Sequence, residues 1–465
     1  MLSKFQKYIL ISLGIFLLLA PFTYHYWDME TWRESGYDLI TGNNPYMHHP
    51  IIAYRSDGST YELWNEIPSS APLTYGRVEY PPLWNIICGI ILLLLKRCGV
   101  MVTSLSPIMV MALKLPLLLA HLGLSWMLWK VALKMKTKTA RSIALAYLFN
   151  PFAIYISFVW GQFDELAAFF LIASLIALFC NNHRGWIYSA LFMAIAISLK
   201  LYFIHPLMLP LIYLKLRNVK RFFVYFLLTI SILTLTSLPY LIKSPKAYLA
   251  RVIFFHMYRT PAFHCIGQNW FAILAAFPPT SKVHNLAIKL RPTIFLPLYI
   301  LILRKAWRVR EVTLYSMTGY VAMLIITTYL ANPVVNSQHF IYALSILALL
   351  LVHNPRLLNF SISQRIPFQL TYLRYLRFSL ILLFASLIEW NFSFFSDYPT
   401  LFKIFQMFYF GEKAHWRAGW VAMSGVIISL LWVRIWLYIY NAQKPMVDRG
   451  PTDYNQTHNS IHYQK

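Results

Sequence analysis

Long apolar runs alternate with short polar segments along nearly the whole chain of 465 residues. Most of these runs approach the roughly 20 residues that an α-helix needs to cross a bilayer. The pattern therefore predicts an all-α fold, a polytopic transmembrane bundle of about twelve spans. The predicted spans are residues 7–25, 104–133, 141–159, 166–180, 186–200, 202–216, 222–241, 285–303, 312–331, 339–353, 373–391 and 418–438.

One further apolar run, "PPLWNIICGIILLLLKR" at 81–97, does not fit this count. If it crossed the membrane, the basic segment at 134–141 would lie on the outer side. A Pro-Pro pair is a good helix start. We therefore predict a helix that lies on the outer membrane surface, with Lys96 and Arg97 facing lipid head groups.

Basic residues orient the bundle. Lys and Arg collect between pairs of apolar runs, for example at 134–141, 215–221 and 303–310, and such segments are typical of the cytoplasmic side. Bulky residues follow the first run, so it is predicted to be a retained span rather than a cleaved signal. Both termini are then cytoplasmic, and a long outer loop covers about 26–103.

The pattern divides the chain into three parts. Residues 1–350 form a transmembrane module that includes the outer loop at 26–103, residues 351–440 add further transmembrane helices, and 441–465 form a polar cytoplasmic tail. A second outer segment lies at about 242–284.

Composition supports a membrane protein, with 58% hydrophobic and 12% charged residues. The net charge of +25 is explained by the positive-inside rule, and no nucleic-acid partner is expected because no RNA-binding motif is present. The four cysteines have neither metal-ligand nor disulfide-framework spacing, which indicates packing roles.

The few acidic residues gather on one predicted face. Eight of the sixteen fall in the first outer loop: Asp28, Glu30, Glu34, Asp38, Asp57, Glu62, Glu66 and Glu79. Asp164 and Glu165 occupy an outer turn. Acids beside a membrane are costly unless they meet water, a cation or a substrate, so their concentration predicts a reaction site on the outer side. For several of these acids, the need to keep a long outer loop soluble in water is a sufficient explanation of their presence.

Asp28 and Glu30 differ from the other loop acids. They follow the first span almost at once, in "YHYWDMETW", where aromatic residues mark the membrane interface. Partial desolvation there is expected to raise the carboxyl pKa and to favour a proton-accepting role.

Three motifs share the outer face: "WDMETWRESGYDLITGNNPY" (27–46), "EYPPLW" (79–84) and "NPFAIYISFVWGQFDE" (150–165). Together they resemble the GT-C class of membrane glycosyltransferases, in particular the oligosaccharide-lipid glucosyltransferases of the endoplasmic reticulum and bacterial mannosyltransferase-like proteins. An acid–Tyr-Pro-Pro-Leu element of that class matches Glu79–Leu83, and a His-Phe-Gln-Tyr-Asn element is similar to Gly161–Glu165. Lys200 resembles a lysine that follows the fifth span, and only His339 is kept from a later His-Glu-Lys motif.

The resemblance implies an inverting displacement, in which an acceptor hydroxyl attacks a sugar carried by a polyprenyl phosphate. It implies Asp28 as the catalytic base, with Glu30 as second choice. The donor phosphate is expected to meet basic side chains: Lys200, Arg251, His256, Arg259 and His339. Sugar or acceptor contacts are expected from Glu79, Tyr80, Trp160, Gln162 and Asp164.

Several of these residues are also compatible with purely structural roles. The basic side chains of 242–270 would suit outer-leaflet head groups, and Lys200 would suit the interface by snorkelling. Asp164 and Glu165 also suit the positive end of a helix dipole. No cofactor is expected, although Asp28, Glu30 and Asp164 leave a divalent-cation site open.

The implied activity is transfer of a hexose, glucose or mannose, to a lipid-linked glycan or another envelope acceptor on the non-cytoplasmic face. The implied location is a bacterial inner membrane, or the endoplasmic reticulum membrane in a eukaryote. Two alternatives are a transporter or lipid flippase and an assembly subunit. A transporter would favour acids near the bilayer midplane and paired repeats, whereas here the acids lie at one face.

Overall fold

The computed structural model describes residues 4–46, 52–54, 60–62, 78–180, 183–254, 269–271, 273, 282–309, 312–332, 335–354, 357, 371–390 and 414–443. Within these ranges the protein is almost entirely helical. The exception is a short antiparallel hairpin in the outer loop, in which β1 (Ile52–Tyr54) pairs with β2 (Thr60–Glu62). The hydrophobic pattern did not predict this hairpin.

Sixteen α-helices follow the chain through the described residues. They are α1 (Lys4–Leu19), α2 (Tyr26–Thr41), α3 (Leu83–Arg97), α4 (Pro107–Met135), α5 (Lys138–Leu148), α6 (Pro151–Ile154), α7 (Asp164–Leu178), α8 (Gly185–Leu199), α9 (Ile204–Arg217), α10 (Val219–Lys243), α11 (Pro245–Leu249), α12 (Lys282–Arg308), α13 (Leu314–Ala331), α14 (Phe340–His353), α15 (Thr371–Trp390) and α16 (Ala414–Ala442).

The predicted fold class is confirmed, because every predicted span coincides with a helical segment of this series. Among the described residues, five helical segments are long and apolar enough to cross a membrane: 107–135, 138–160, 219–243, 314–331 and 422–442. Four shorter apolar helices accompany them. The protein is therefore a polytopic helical membrane protein; the number of crossings and the side of each terminus stay predictions.

The outer loop begins with two helices packed against each other. Gly36 of α2 lies so close to α3 that an added Cβ would be 2.8 Å from Leu92 Cδ1 and 2.9 Å from the Cys88 carbonyl carbon. Helix α3 begins directly after the Pro-Pro pair and has 15 residues, so it is about 22 Å long. Helices α7 and α8, which belong to predicted spans, are equally short, so length does not distinguish a surface helix from a span, and the surface-helix interpretation stays a prediction.

The segment 138–160 forms one interrupted helical rod. Helix α5 ends before Asn150, whose side chain caps α6 by accepting hydrogen bonds from the backbone N–H groups of Phe152 and Ala153. The rod then widens into a π-helical turn, Tyr155–Trp160. It ends at Gly161, whose φ of +91° is a left-handed conformation that favours glycine. This stop places Trp160 and Gln162 at the end of the rod.

Helices α7, α13 and α14 form the centre of the bundle. Nearly all of the residues in α13 and α14 are buried. Peripheral helices such as α10 instead expose large apolar side chains, including Leu227 and Leu235. An exposed apolar face of this kind is suited to lipid.

Candidate active site

Asp28 is held at the junction between α1 and α2. Its Oδ2 atom accepts a hydrogen bond of 2.6 Å from Trp160 Nε1 and lies 2.9 Å from Nδ1 of His25. His25 is the N-cap of α2, and its backbone N–H donates to the Trp160 carbonyl at 3.0 Å. The junction is thus fixed against the end of the 138–160 rod.

The carboxyl group of Asp28 is ionised at neutral pH. Burial raises its pKa, but the charge of His25 and hydrogen bonds from His25, Trp160 and Gln162 outweigh burial, so the pKa lies below the ordinary value of 3.8. The predicted upward shift is therefore wrong. Desolvation is present as expected, but the sequence did not reveal the three partners that stabilise the charged form.

Glu30 is engaged by a different partner. Arg33 donates to both of its carboxylate oxygens, from Nε at 2.9 Å and from Nη2 at 2.5 Å. Arg33 also lies 3.5 Å from Glu34 and is buried. This bidentate pair neutralises Glu30 within α2, which favours Asp28 as the proton acceptor.

Lys200 and Asp164 form a buried ion pair, with 3.3 Å between Nζ and Oδ2. Lys200 follows α8 directly and is only 3% exposed, and Asp164 in the first turn of α7 is fully buried. Tyr342 of α14 donates a short hydrogen bond to Asp164 Oδ1. Snorkelling of Lys200 to the interface is therefore excluded, because its ammonium group points into the protein.

Aromatic rings enclose this ion pair. The Lys200 ammonium lies 3.6 Å from the ring centroid of Tyr80 and 4.2 Å from that of Phe163. Phe163 in turn stacks on Trp84 at 4.8 Å and meets Trp32 edge-on at 5.2 Å. The motifs that contain residues 32, 80, 84 and 163 therefore meet in one aromatic cluster, as the shared outer face predicts.

Charges from several segments converge on Lys200. In addition to Asp164, the carboxylates of Asp28 and Glu79 act on it electrostatically. The structure thus brings Asp28, Glu79, Tyr80, Trp160, Gln162, Asp164 and Lys200 together at one end of the bundle. Residues 28 and 164 lie on the same side, as a shared site requires.

Several buried polar atoms of this site lack hydrogen-bond partners among the described residues. They are Lys200 Nζ, Gln162 Oε1 and Asp164 Oδ2. The ion pair of Lys200 and Asp164 is close but does not have hydrogen-bond geometry. Buried polar groups are normally satisfied, so this arrangement is suited to a polar ligand that donates and accepts hydrogen bonds.

Arg251 lies beside the site and ties two outer segments together. Its Nη1 donates to the Pro45 carbonyl at 3.3 Å, and the guanidinium is buried. Burial lowers its pKa to about 10, against the opposing effects of Glu79 and Tyr46. Tyr46 in turn donates to the Tyr80 carbonyl at 2.7 Å. The phosphate-binding role assigned to Arg251 stays a prediction.

Of the remaining predicted phosphate ligands, the structure describes only His339. His339 stacks on Tyr202 at 5.9 Å, and its backbone carbonyl accepts a short hydrogen bond from Tyr329. It therefore lies near Tyr342, which also contacts Tyr202 at 5.4 Å. His256 and Arg259 lie outside the described residues.

Glu165 turns away from its neighbour Asp164. It is fully buried between three helical segments, where His121 lies 2.8 Å away and Tyr147 donates at 2.6 Å. Ser157 adds a short hydrogen bond. The two adjacent acids of "FDE" thus have different environments: Asp164 contributes to the site, and Glu165 joins the rod to the bundle core.

Sequence reasoning missed three residues that build the site: His25, Tyr342 and Lys114. His25 had a local signal, because it precedes an acid by three residues at a helix start. Tyr342 and Lys114 had none, since each contacts residues far away in the sequence.

Among the described residues, no group of three or more His, Cys, Asp or Glu side chains is arranged to hold a metal ion. The expectation that no cofactor is needed stays a prediction.

Comparisons with known proteins are sparse. No family model and no curated protein matches the chain. Among solved structures, the chain is similar to the crystal structure of ArnT from Cupriavidus metallidurans bound to undecaprenyl phosphate. The TM-score is 0.47 at 12% identity, over 94% of this chain and 77% of that one. A likeness this remote establishes neither a family nor an activity, so function has to be inferred from the site itself.

Proposed function

We propose that the protein is a membrane glycosyltransferase that takes a sugar from a polyprenyl-phosphate carrier on the non-cytoplasmic face. One observation carries this proposal. An ionised carboxylate, a buried ammonium and a cluster of aromatic rings meet where α1, α2, α7 and α8 begin or end. Glycosyl transfer from a lipid phosphate needs a proton acceptor, a cation for the leaving phosphate and apolar faces for the sugar.

In the proposed reaction, the acceptor hydroxyl oxygen attacks the anomeric carbon of the donor. The bond between that carbon and the phosphate oxygen breaks, and the electron pair leaves with the polyprenyl phosphate. The hydroxyl proton passes to the carboxylate of Asp28. Since one displacement occurs on the face opposite the leaving group, the anomeric configuration inverts.

The lowered pKa of Asp28 is compatible with this role. Glycosyl transfer passes through an oxocarbenium-like transition state, in which the attacking hydroxyl becomes strongly acidic as its bond to carbon forms. A carboxylate that stays ionised then suffices as acceptor. Its orientation by Trp160 and His25 matters more than its basicity, because the reacting groups must be aligned.

Lys200 is the proposed cation for the leaving phosphate. Its ammonium is buried, and in a site of low dielectric a positive charge stabilises a developing negative charge strongly. We propose that Tyr80 and Trp160 present faces to the sugar, and that Gln162, Asp164 and Glu79 meet its hydroxyls. Arg251, His256, Arg259 and His339 remain proposed secondary contacts for the phosphate.

The finer assignment rests on the motif resemblance. We propose that the sugar is a hexose, glucose or mannose, and that the acceptor is a lipid-linked glycan or another envelope glycan. The proposed location is a bacterial inner membrane, or the endoplasmic reticulum membrane in a eukaryote. The bidentate pairing of Glu30 with Arg33 supports Asp28 as the base.

The test compares Asp28→Asn with Glu30→Gln in purified protein. Each variant is incubated with an acceptor extract and a panel of polyprenyl-phosphate sugars, and release of polyprenyl phosphate is measured. Asp28→Asn keeps the shape of the side chain but cannot accept the proton, so kcat/KM should fall by about 10²–10⁴-fold. Glu30→Gln should keep most of the activity.

Thermal unfolding serves as the folding control for both variants. Full activity in Asp28→Asn would overturn the assignment of the base. If the wild-type protein consumed none of the donors, the proposed function itself would be wrong.

A further inference from the structure

Lys114 is a buried lysine at the junction between the end of α1 and the end of the 138–160 rod, and the proposed chemistry does not use it. It lies in α4, and its side chain is completely buried. Its Nζ lies within hydrogen-bond distance of four backbone carbonyl oxygens, those of Ala20 at 3.2 Å, Phe158 at 2.8 Å, Val159 at 3.0 Å and Thr23 in a short contact. All four partners are acceptors, an arrangement that suits the three N–H donors of an ammonium group.

The four carbonyls belong to the C-terminal ends of two helical segments. Ala20 and Thr23 follow α1, and Phe158 and Val159 belong to the last turn of the 138–160 rod. The last carbonyls of a helix have no intrahelical partner and carry the negative end of the macrodipole. The negative ends of two helices repel each other. A single ammonium between them removes this repulsion and gives the carbonyls of both ends a hydrogen-bond donor.

The residues that follow these two ends are the ones that build the proposed site. On one side the chain continues from Thr23 to His25 and Asp28. On the other it continues from Val159 to Trp160 and Gln162. Contacts across the junction include the hydrogen bond from the His25 N–H to the Trp160 carbonyl and the one from Trp160 Nε1 to Asp28.

Gly161 shows how tightly this junction is packed. A Cβ at Gly161 would lie 2.9 Å from Lys114 Cε and 2.6 Å from Met29 Cε. The glycine therefore permits both the left-handed backbone conformation that ends the rod and the close approach of the Lys114 side chain. The lysine stem, the end of the rod and the first turn of α2 form one packed unit.

We propose that Lys114 is a positioning residue: it locks the ends of α1 and the rod together so that Trp160 orients the carboxylate of Asp28. This inference rests on the proposed function for its catalytic consequence. Its structural content, the coupling of residues 20–28 to residues 156–162 through one ammonium, is independent of any substrate.

The experiment compares Lys114→Met with Lys114→Arg and with a matched control, Lys130→Met. Lys130 lies on the same helix but is exposed, with its ammonium 5.4 Å from the Trp126 ring. Two measurements are made on each protein. Hydrogen exchange reports the amides of residues 20–30 and 156–165, and the pH profile of kcat/KM reports the ionisation of Asp28.

Lys114→Met should accelerate exchange in these two segments by about tenfold or more while the bundle core stays protected, because the junction opens locally. Its kcat should fall by about 10²-fold, the usual effect of a misplacement of about 1 Å. The acid limb should move to higher pH, since Asp28 loses the hydrogen bond from Trp160 and keeps only His25, Gln162 and Lys200 nearby. Lys114→Arg retains the cation and should recover part of kcat; Lys130→Met should match the wild type.

Unchanged exchange at 20–30 and 156–165 in Lys114→Met would overturn the proposal. So would an increase spread evenly over all helices, or an acid limb that does not move. If Lys114→Met does not fold, Lys114→Arg decides, because it keeps the charge but changes the geometry of the contacts: exchange should rise at 20–30 and 156–165 alone, and unchanged exchange there would overturn the proposal. If the wild type transfers no sugar, the proposed function fails, and the exchange result still decides whether Lys114 couples the two segments.

Discussion

Two carboxylates of α2 show how a single partner decides the role of a residue. Asp28 and Glu30 are two positions apart, and each is partly exposed. Arg33 binds both oxygens of Glu30, whereas Asp28 is held by neutral or weakly basic groups, Trp160 and His25. A strong cation neutralises the first acid, and the second remains available to a substrate hydroxyl.

The ionisation of Asp28 predicts how activity and stability depend on pH. Its pKa in the folded protein lies below 3.8, so kcat/KM should show no acid limb from this group between pH 7 and pH 5. The same depression stabilises the fold above the unfolded pKa, and this stability is lost as the pH falls through the folded pKa.

Trp160→Phe removes one hydrogen bond to the charged form and should therefore raise the pKa of Asp28. The acid limb should move upward, and the free energy of unfolding at pH 7 should fall by about 1–3 kcal/mol. A pH–rate profile and a denaturant titration measure the two effects. An acid limb of kcat/KM near pH 6 in the wild type would contradict this account of Asp28.

At the scale of elements, helices α2 and α3 pack against each other at the end of the bundle that holds the site. Gly36 brings their backbones together, and the aromatic residues of both helices, Trp32 and Trp84, pack at 6.0 Å. The pair fixes the direction of α2 and with it the position of Asp28 in the first turn. Packing of α2 against α3 thus contributes to the geometry of the proposed site.

Gly36→Ala should separate these two helices. The new methyl group would lie 2.9 Å from the Cys88 carbonyl carbon and 3.0 Å from the Gly89 nitrogen, and backbone atoms cannot move aside as a side chain can. We expect a loss of about 1–3 kcal/mol in the free energy of unfolding and reduced sugar transfer. Gly14→Ala is the matched control, because nothing lies within 4 Å of its added Cβ. Equal stabilities of the two variants would show that α2 does not depend on close packing with α3.

The helices were predictable from sequence, whereas the contacts that build the site were only partly so. Apolar runs of helix length and capping residues such as Asn150 are local signals, and the helices begin near where these signals place them. Partners such as Tyr342 for Asp164 or Lys114 for Thr23 lie about 90 or more residues away. Sequence spacing carries no information about such pairs. The predicted direction of the Asp28 pKa shift was therefore wrong, even though the residue itself was identified as important.

At the scale of the whole molecule, charged side chains from distant parts of the chain meet at one end of the bundle. Asp28, Glu79 and Asp164 all act on Lys200 there. Glu165, His121 and Tyr147 form the principal polar network in the described core. This distribution is compatible with the proposed reaction at one end of the bundle.

Two native cysteines test the predicted orientation. Cys98 follows the predicted surface helix α3, Cys180 follows α7, and both are exposed. In a Cys265→Ser background, a membrane-impermeant maleimide added to intact cells should label Cys98 and should label Cys180 only after the membrane is opened. Cys98→Ser and Cys180→Ser variants identify the labelled site. Labelling of Cys180 in intact cells, with Cys98 protected, would invert the topology and place the acidic site in the cytoplasm.

The stereochemistry of the product tests the central claim most directly. Purified protein is given a polyprenyl-phosphate hexose of defined anomeric configuration with an acceptor, and the product linkage is determined by NMR. A single displacement assisted by Asp28 predicts complete inversion at the anomeric carbon, together with release of one polyprenyl phosphate for each sugar transferred. Retention of configuration, or no transfer from any such donor, would contradict the account.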